Sequence, residues 1–296
     1  MFLIAVPAAI AAAAAFGSAG VLQHRATHEA AVRKPMQPAL LADLIRIRSF
    51  RIGVLLGAAG FALQVVALRF APLILVQPLL VTGVLFYLIL ASAMGHHSPD
   101  RALFLAALTA LAGLSAFLVV ARPGGGGTGS LGGVDALGLG AGLVFAVALC
   151  LFGTTQVRAE SRSLLLAVAT AVCYGVTAGL VRDLTTFEFS ASLFTHWQLY
   201  AVAAVGPAGF LLNQNAYQVG TVGSAALAVI TIGDPLVSIG IGITWLGEGI
   251  SAGAWAIAGE VIALAVMAGG VWALAVRAQH VAKRLQAAGE LPEEAR

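Results

Sequence analysis

Two acidic residues, Asp234 and Glu260, lie well inside apolar stretches of this sequence. A charge near the centre of a bilayer costs about 2.5–3.5 kcal/mol even on lenient insertion scales, so such a residue must face a protein interior, water or a partner. Pro235 follows Asp234 and removes a backbone N–H, which frees the carbonyl of Thr231 one turn earlier. Thr231, Asp234 and Ser238 recur at intervals of three and four, so a helix places them on one face. A carboxylate beside an interrupted helix with loosened backbone oxygens is suited to holding a cation or a proton. The alternative is a structural kink whose acid is protonated or bonded to a neighbouring helix. Glu260 is a second carboxylate for the same site, a proton carrier, or an interhelical hydrogen-bonding group.

The neutral polar groups in apolar runs are Gln64, Gln77, Asn213, Gln214 and Asn215. Their amides suit a hydrated cation or a small metabolite, and they serve equally well as glue between helices. We take Asp234, Thr231, Glu260, Gln64, Gln77 and Asn213 as the candidate binding set. No basic residue falls at the depth of Asp234 or Glu260, so a proton or bound cation is the expected neutraliser. His96 and His97 read as loop residues and His196 as a helix start. Cys150 and Cys173 form neither a disulfide framework nor a metal spacing. No nucleophile-base cluster, nucleotide motif or redox centre is found, so neither catalysis nor a cofactor is expected.

These groups need membrane-spanning elements to position them. The chain has 296 residues, 60% hydrophobic and 10% charged. Soluble domains carry roughly 25% charged residues, which excludes a soluble enzyme, a disordered chain and a nucleic-acid binder. Apolar runs fall at about 2–22, 52–71, 73–93, 102–121, 134–153, 163–181, 194–217, 221–246 and 252–276. Each is near the ~20 residues that a spanning helix requires. The expected fold is an all-α integral membrane protein of about nine helices. The first run lacks a basic n-region and is followed by Arg25, Arg33 and Lys34, the pattern of a retained helix. Of the 16 Lys/Arg, all but Arg69, Arg122 and Arg182 fall on one side of this nine-span layout. The positive-inside rule then places the N-terminus outside and the C-terminus in the cytoplasm, in the plasma membrane.

The halves resemble each other. Residues 60–72, GFALQVVALRFAP, align with 209–221, GFLLNQNAYQVGT, and Gly60/Gly209, Phe61/Phe210, Leu63/Leu212 and Ala67/Ala216 are identical. Gly95/Gly247 and Ala102/Ala254 match further on. The division is a first repeat at 1–121 (helices 1–4), a Gly-rich linker with crossover helix 5 at 122–162, a second repeat at 163–276 (helices 6–9), and a charged tail at 277–296. An odd crossover inverts the second four-helix repeat relative to the first. The linker RPGGGGTGSLGG lacks the Gly-Lys-Ser/Thr of a phosphate-binding loop.

The stretch from 53 to 95 resembles the drug/metabolite transporter superfamily, through Gln64, the Ala71-Pro72 turn, Gln77-Pro78-Leu79 and the small-residue-rich helix that follows. The corresponding second-half stretch, LLNQNAYQVGTVGSAALAV, carries Asn213 and Asn215. Within the superfamily the chain resembles NIPA-type magnesium transporters and EamA-like transporters. The family's Gly-Glu pair stands here only as Gly247-Glu248, with His96-His97 in the first-half position. The resemblance implies alternating-access transport of a small solute or cation, Mg2+ included; Asp234, in a Gly-Asp-Pro that is not part of the family's pattern, is the metal ligand that the residues themselves suggest. The competing readings are a proton-coupled exporter of small metabolites or drugs and, in another class, a membrane scaffold or lipid-acting intramembrane protein. The expected partners are the lipid bilayer and the transported solute, with no nucleic acid and with a homodimer as an open option.

Overall fold

The computed structural model describes residues 2–29, 39–95, 101–122, 133–157, 159–219, 224–249 and 253–287. Among them there are no strands. In chain order the elements are α1 (Phe2–Glu29), α2 (Ala39–Leu44), α3 (Arg48–Phe70), α4 (Leu73–Leu80), α5 (Gly83–Gly95), α6 (Arg101–Ala121), α7 (Gly133–Thr154), α8 (Ala159–Leu184), a short 3-10 helix (Ala191–Thr195), α9 (Trp197–Val219), α10 (Ser224–Thr244) and α11 (Ala254–Ala287). Helices satisfy every interior backbone group within one segment, which is why apolar runs of this kind fold as helices where no water is available.

Six described helices are long and apolar enough to cross a membrane: Phe2–Thr27, Arg48–Phe70, Leu73–Ala91, Ala136–Thr154, Ser161–Leu184 and Ala254–Ala273. Shorter apolar helices cover Leu108–Ala121 and Val229–Thr244. The chain is therefore an all-helical, multi-pass membrane protein. α9 falls outside both groups; Gln198, Asn213, Gln214, Asn215 and Gln218 lower its mean hydropathy.

The turns follow proline chemistry. A residue before proline is driven out of the α region, and Ala71, before Pro72, is extended at φ −147°, ψ 154°. It ends α3, and Pro72 caps α4. Pro78 lies in α4, and the chain leaves the helix at Val81–Thr82 before α5 begins. The interruption expected from the sequence at Asp234-Pro235 is not present. α10 remains helical from Ser224 to Thr244 with Pro235 inside it. The Ser238 hydroxyl donates to the Asp234 carbonyl at 2.8 Å, one turn back on the same helix.

α8 is the central helix: its apolar window is 72% buried, against 11% for the peripheral α7. α8 packs on α9 and α10, while α1 packs on α3, α4 and α5. α6 and α11 form their own close pair. Small residues allow backbones to meet where no hydrophobic effect drives association. A Cβ at Gly113 would collide with the Met267 backbone, and one at Gly270 with the Ala110 backbone. By contrast, Gly138 and Gly142 on α7 have open space around them.

Overpacking a tight contact typically costs about 1–3 kcal/mol. Gly113→Ala and Gly270→Ala should each lower the apparent melting temperature of detergent-purified protein. Gly138→Ala and Gly142→Ala should leave it unchanged or slightly raised, because added helix propensity meets no neighbour. Equal effects at the two pairs of sites would contradict the crossing described for α6 and α11.

Candidate functional site

α1, α3, α4, α5, α8, α9 and α10 surround a cavity of about 640 Å³. Asp234, Thr231, Asn213 and Gln64, four of the six residues singled out in the sequence, line it. The Ser238 hydroxyl also lies 3.1 Å from Asp234 Oδ1, which orients the carboxylate along α10. Asn213 is buried, and its Oδ1 has no hydrogen-bond partner. Pro235 borders the cavity beside Thr231, whose carbonyl has lost its usual helical donor.

The other two candidates are elsewhere. Gln77 is fully buried on α4, and neither of its amide atoms finds a partner. Glu260 is buried on α11, which packs on α6, and does not line the cavity. It therefore is not a second carboxylate in the wall with Asp234. His96 and His97 fall outside the described residues. His196 stacks on Phe187 at 3.8 Å, and both cysteines are free and buried. Among the described residues no group of three or more His, Cys, Asp or Glu is placed to hold a metal.

The cavity's position along the helices is uneven. It is bounded by residues 16–23 of α1, 54–64 of α3, 174–178 of α8 and 227–235 of α10. Beyond it, toward the α3–α4 turn, Ala5, Ala9, Ala67, Leu68, Leu73, Leu180 and Ile241 pack into a solid core. A polar junction closes this end. Arg182 Nε pairs with Glu248 Oε1 at 3.0 Å, and Arg182 also donates to the Leu68 carbonyl at 2.7 Å. The Glu248 carboxylate accepts from the first two amides of α4, Leu73 N at 2.8 Å and Ile74 N at 3.0 Å. Unpaired amides and the positive end of the helix dipole favour an anion there. Gly247, at φ 62°, makes the turn that delivers Glu248. Arg69 reaches back to the Thr185 and Phe187 carbonyls. Elements from both ends of the sequence are thus tied by charge-assisted bonds, which are stronger than neutral ones.

At the opposite end the ties are neutral. Gln214 donates to Gln23 Oε1 at 2.9 Å, Gln23 donates to the Gly53 carbonyl at 3.1 Å, and His24 meets Tyr217 edge-on at 5.4 Å.

Sequence reasoning did not single out Gln23, Tyr174 or Tyr217 as cavity residues, nor Arg182 as a partner for Glu248. The Gly247-Glu248 pair was the visible signal for the junction. The aromatic residues carried none, because a tyrosine in an apolar helix reads as packing.

Fold and site together define a multi-pass membrane protein whose described residues contain helices and no strands, and whose helices surround a cavity with a carboxylate in its wall. The chain is 26% identical over 279 residues to an uncharacterized protein of Corynebacterium glutamicum, an alignment covering 90% of this chain and 92% of that one. No family model matches, and no solved structure matches.

Removing one partner of a buried ion pair typically costs about 3–5 kcal/mol, because the other charge is left uncompensated. Glu248→Gln and Arg182→Met should each lower the melting temperature markedly. The double variant should lose less than the sum of the two losses. Strict additivity in that cycle would show that the pair is not coupled.

Proposed function

We propose that the chain is a secondary transporter of the drug/metabolite transporter type, binding a small solute or cation in the cavity and releasing it by alternating access. The observation that carries this reading is a cavity between helices of both sequence halves that reaches the depth of Asp234, with a packed core beyond it on the side of the α3–α4 turn. In this reading α4 and α5 form one span, and α1, α3, α4–α5, α6, α7, α8, α9, α10 and α11 make nine. Two inverted four-helix repeats flank the crossover helix α7. The packing pattern supports the repeat. α1 lies against α3 and α4–α5 as α8 lies against α9 and α10. Gly60 abuts the Phe16 ring and its sequence counterpart Gly209 abuts the Tyr174 ring. Gly113 meets Met267 where Gly270 meets Ala110, a reciprocal contact of the kind that surrounds a twofold axis.

With the positive-inside orientation, N-terminus out and C-terminus cytoplasmic, the Arg182–Glu248 junction faces outside and the cavity faces inward. Asp234 is the substrate anchor or the coupling group, and Thr231, Asn213 and Gln64 assist it. Mg2+ is a second reading, favoured by the oxygen-bearing set of Asp234, Thr231 and Asn213, which suits a hydrated hard cation.

The test is uptake or counterflow in proteoliposomes, with Mg2+ and organic solutes tried as cargo. Asp234→Asn keeps size and hydrogen bonding but removes the charge. It should leave folding nearly intact, reduce transport at least tenfold and flatten its pH dependence. Wild-type rates and pH profile in that variant would reduce Asp234 to a structural residue beside Pro235.

A further inference from the structure

We propose that the cavity selects a protonated organic amine, an ammonium group carrying N–H donors on an apolar body. This rests on the transporter reading above and names the substrate class of the same site.

The polar part of the wall near Asp234 is rich in acceptors. Asp234 contributes a carboxylate and Thr231 a carbonyl deprived of its helical donor by Pro235, while the Asn213 amide sits beside the Tyr174 and Tyr217 hydroxyls. A buried acceptor without a donor is costly, so a ligand that brings several donors gains most here. No Lys or Arg is present among the described lining residues, so Asp234 is balanced either by a proton or by a cationic ligand that displaces it. Gln23, Gln64 and Thr177 add neutral polar groups, and the rest of the wall is mostly apolar and aromatic, with Phe16, Phe61, Tyr87, Tyr174, Phe210 and Tyr217 contributed by both halves of the sequence. Aromatic faces attract cations, and apolar walls favour an apolar body. A volume of about 640 Å³ falls in the usual range for small organic ligands, roughly 300–1,000 Å³.

The same features discriminate against the alternatives. A quaternary ammonium supplies charge but no N–H, leaving the Asp234 carboxylate and the Thr231 carbonyl without a ligand donor. An alcohol supplies a donor but no charge. Mg2+ brings two positive charges to a single carboxylate and, because it gives up its water reluctantly, enters hydrated and makes no use of the apolar and aromatic part of the wall.

The experiment measures binding to the purified full-length protein by thermal shift and calorimetry. The probes are 2-phenylethylammonium, its N,N,N-trimethyl analogue, 2-phenylethanol and MgCl2. A ligand that binds only the folded state raises the melting temperature. The expected result is binding of 2-phenylethylammonium at least tenfold tighter than each of the other three. Asp234→Asn should weaken amine binding at least tenfold. The discrimination among probes is measured on the wild-type protein, so it stands whether or not a variant folds. Absence of amine binding overturns the proposal, as does equal affinity for the trimethyl analogue, the alcohol or Mg2+. Undiminished binding to folded Asp234→Asn overturns it too. Amine counterflow in proteoliposomes separates the two levels: selective binding without exchange contradicts the transporter reading alone, and exchange of a solute that is not an amine contradicts the amine assignment alone.

Discussion

A carboxylate halfway along an apolar helix has to be surrounded by something more polar than lipid, and the position of Asp234 makes that demand on the whole molecule. The helix that carries it, α10, lies against the most buried helix, α8. Its acid faces a cavity walled by helices from both halves of the sequence. The Ser238 hydroxyl lies within hydrogen-bond distance of both the Asp234 carbonyl and its carboxylate and so restrains the acid. A cavity among membrane helices lowers packing, and close glycine contacts elsewhere, such as the reciprocal pair at Gly113 and Gly270, offset that loss.

The two ends of the cavity are held by different chemistry. One end combines a packed apolar core with the Arg182–Glu248 ion pair and the capped N-terminus of α4. The other relies on amide bonds between Gln23 and Gln214 and an edge-on contact between His24 and Tyr217. Charged groups in a low-dielectric setting give a discrete, bistable contact, because a partly broken pair is worse than either a whole one or a hydrated one. In the transport reading this difference makes the charged end the sealed gate of the present state.

The sequence disclosed the helical, membrane-spanning character, since that depends on apolar run length alone. It also pointed to Asp234, Thr231, Asn213 and Gln64, because a polar group in an apolar run is conspicuous wherever the fold later puts it. What it did not disclose depends on which helices become neighbours. Gln77 and Glu260 are as conspicuous in the sequence as Gln64, yet neither lines the cavity. The interruption anticipated at Pro235 falls instead at Val81–Thr82, a distinction between two prolines that local chemistry does not make. Glu248 falls between two apolar runs of the sequence, where only the Gly-Glu pair marks it. Its role comes from α4, 174 positions earlier in the chain.

The most direct test of the account is sided access to the cavity. Thr231→Cys, in a background with Cys150 and Cys173 replaced by Ser, provides one thiol in the cavity wall, to be labelled with a membrane-impermeant maleimide from either face of the membrane. The account predicts labelling from the face opposite the Arg182–Glu248 junction, and labelling from both faces once Glu248→Gln opens that junction. Labelling from the junction face in the intact protein, or no gain of access when the ion pair is broken, would contradict it.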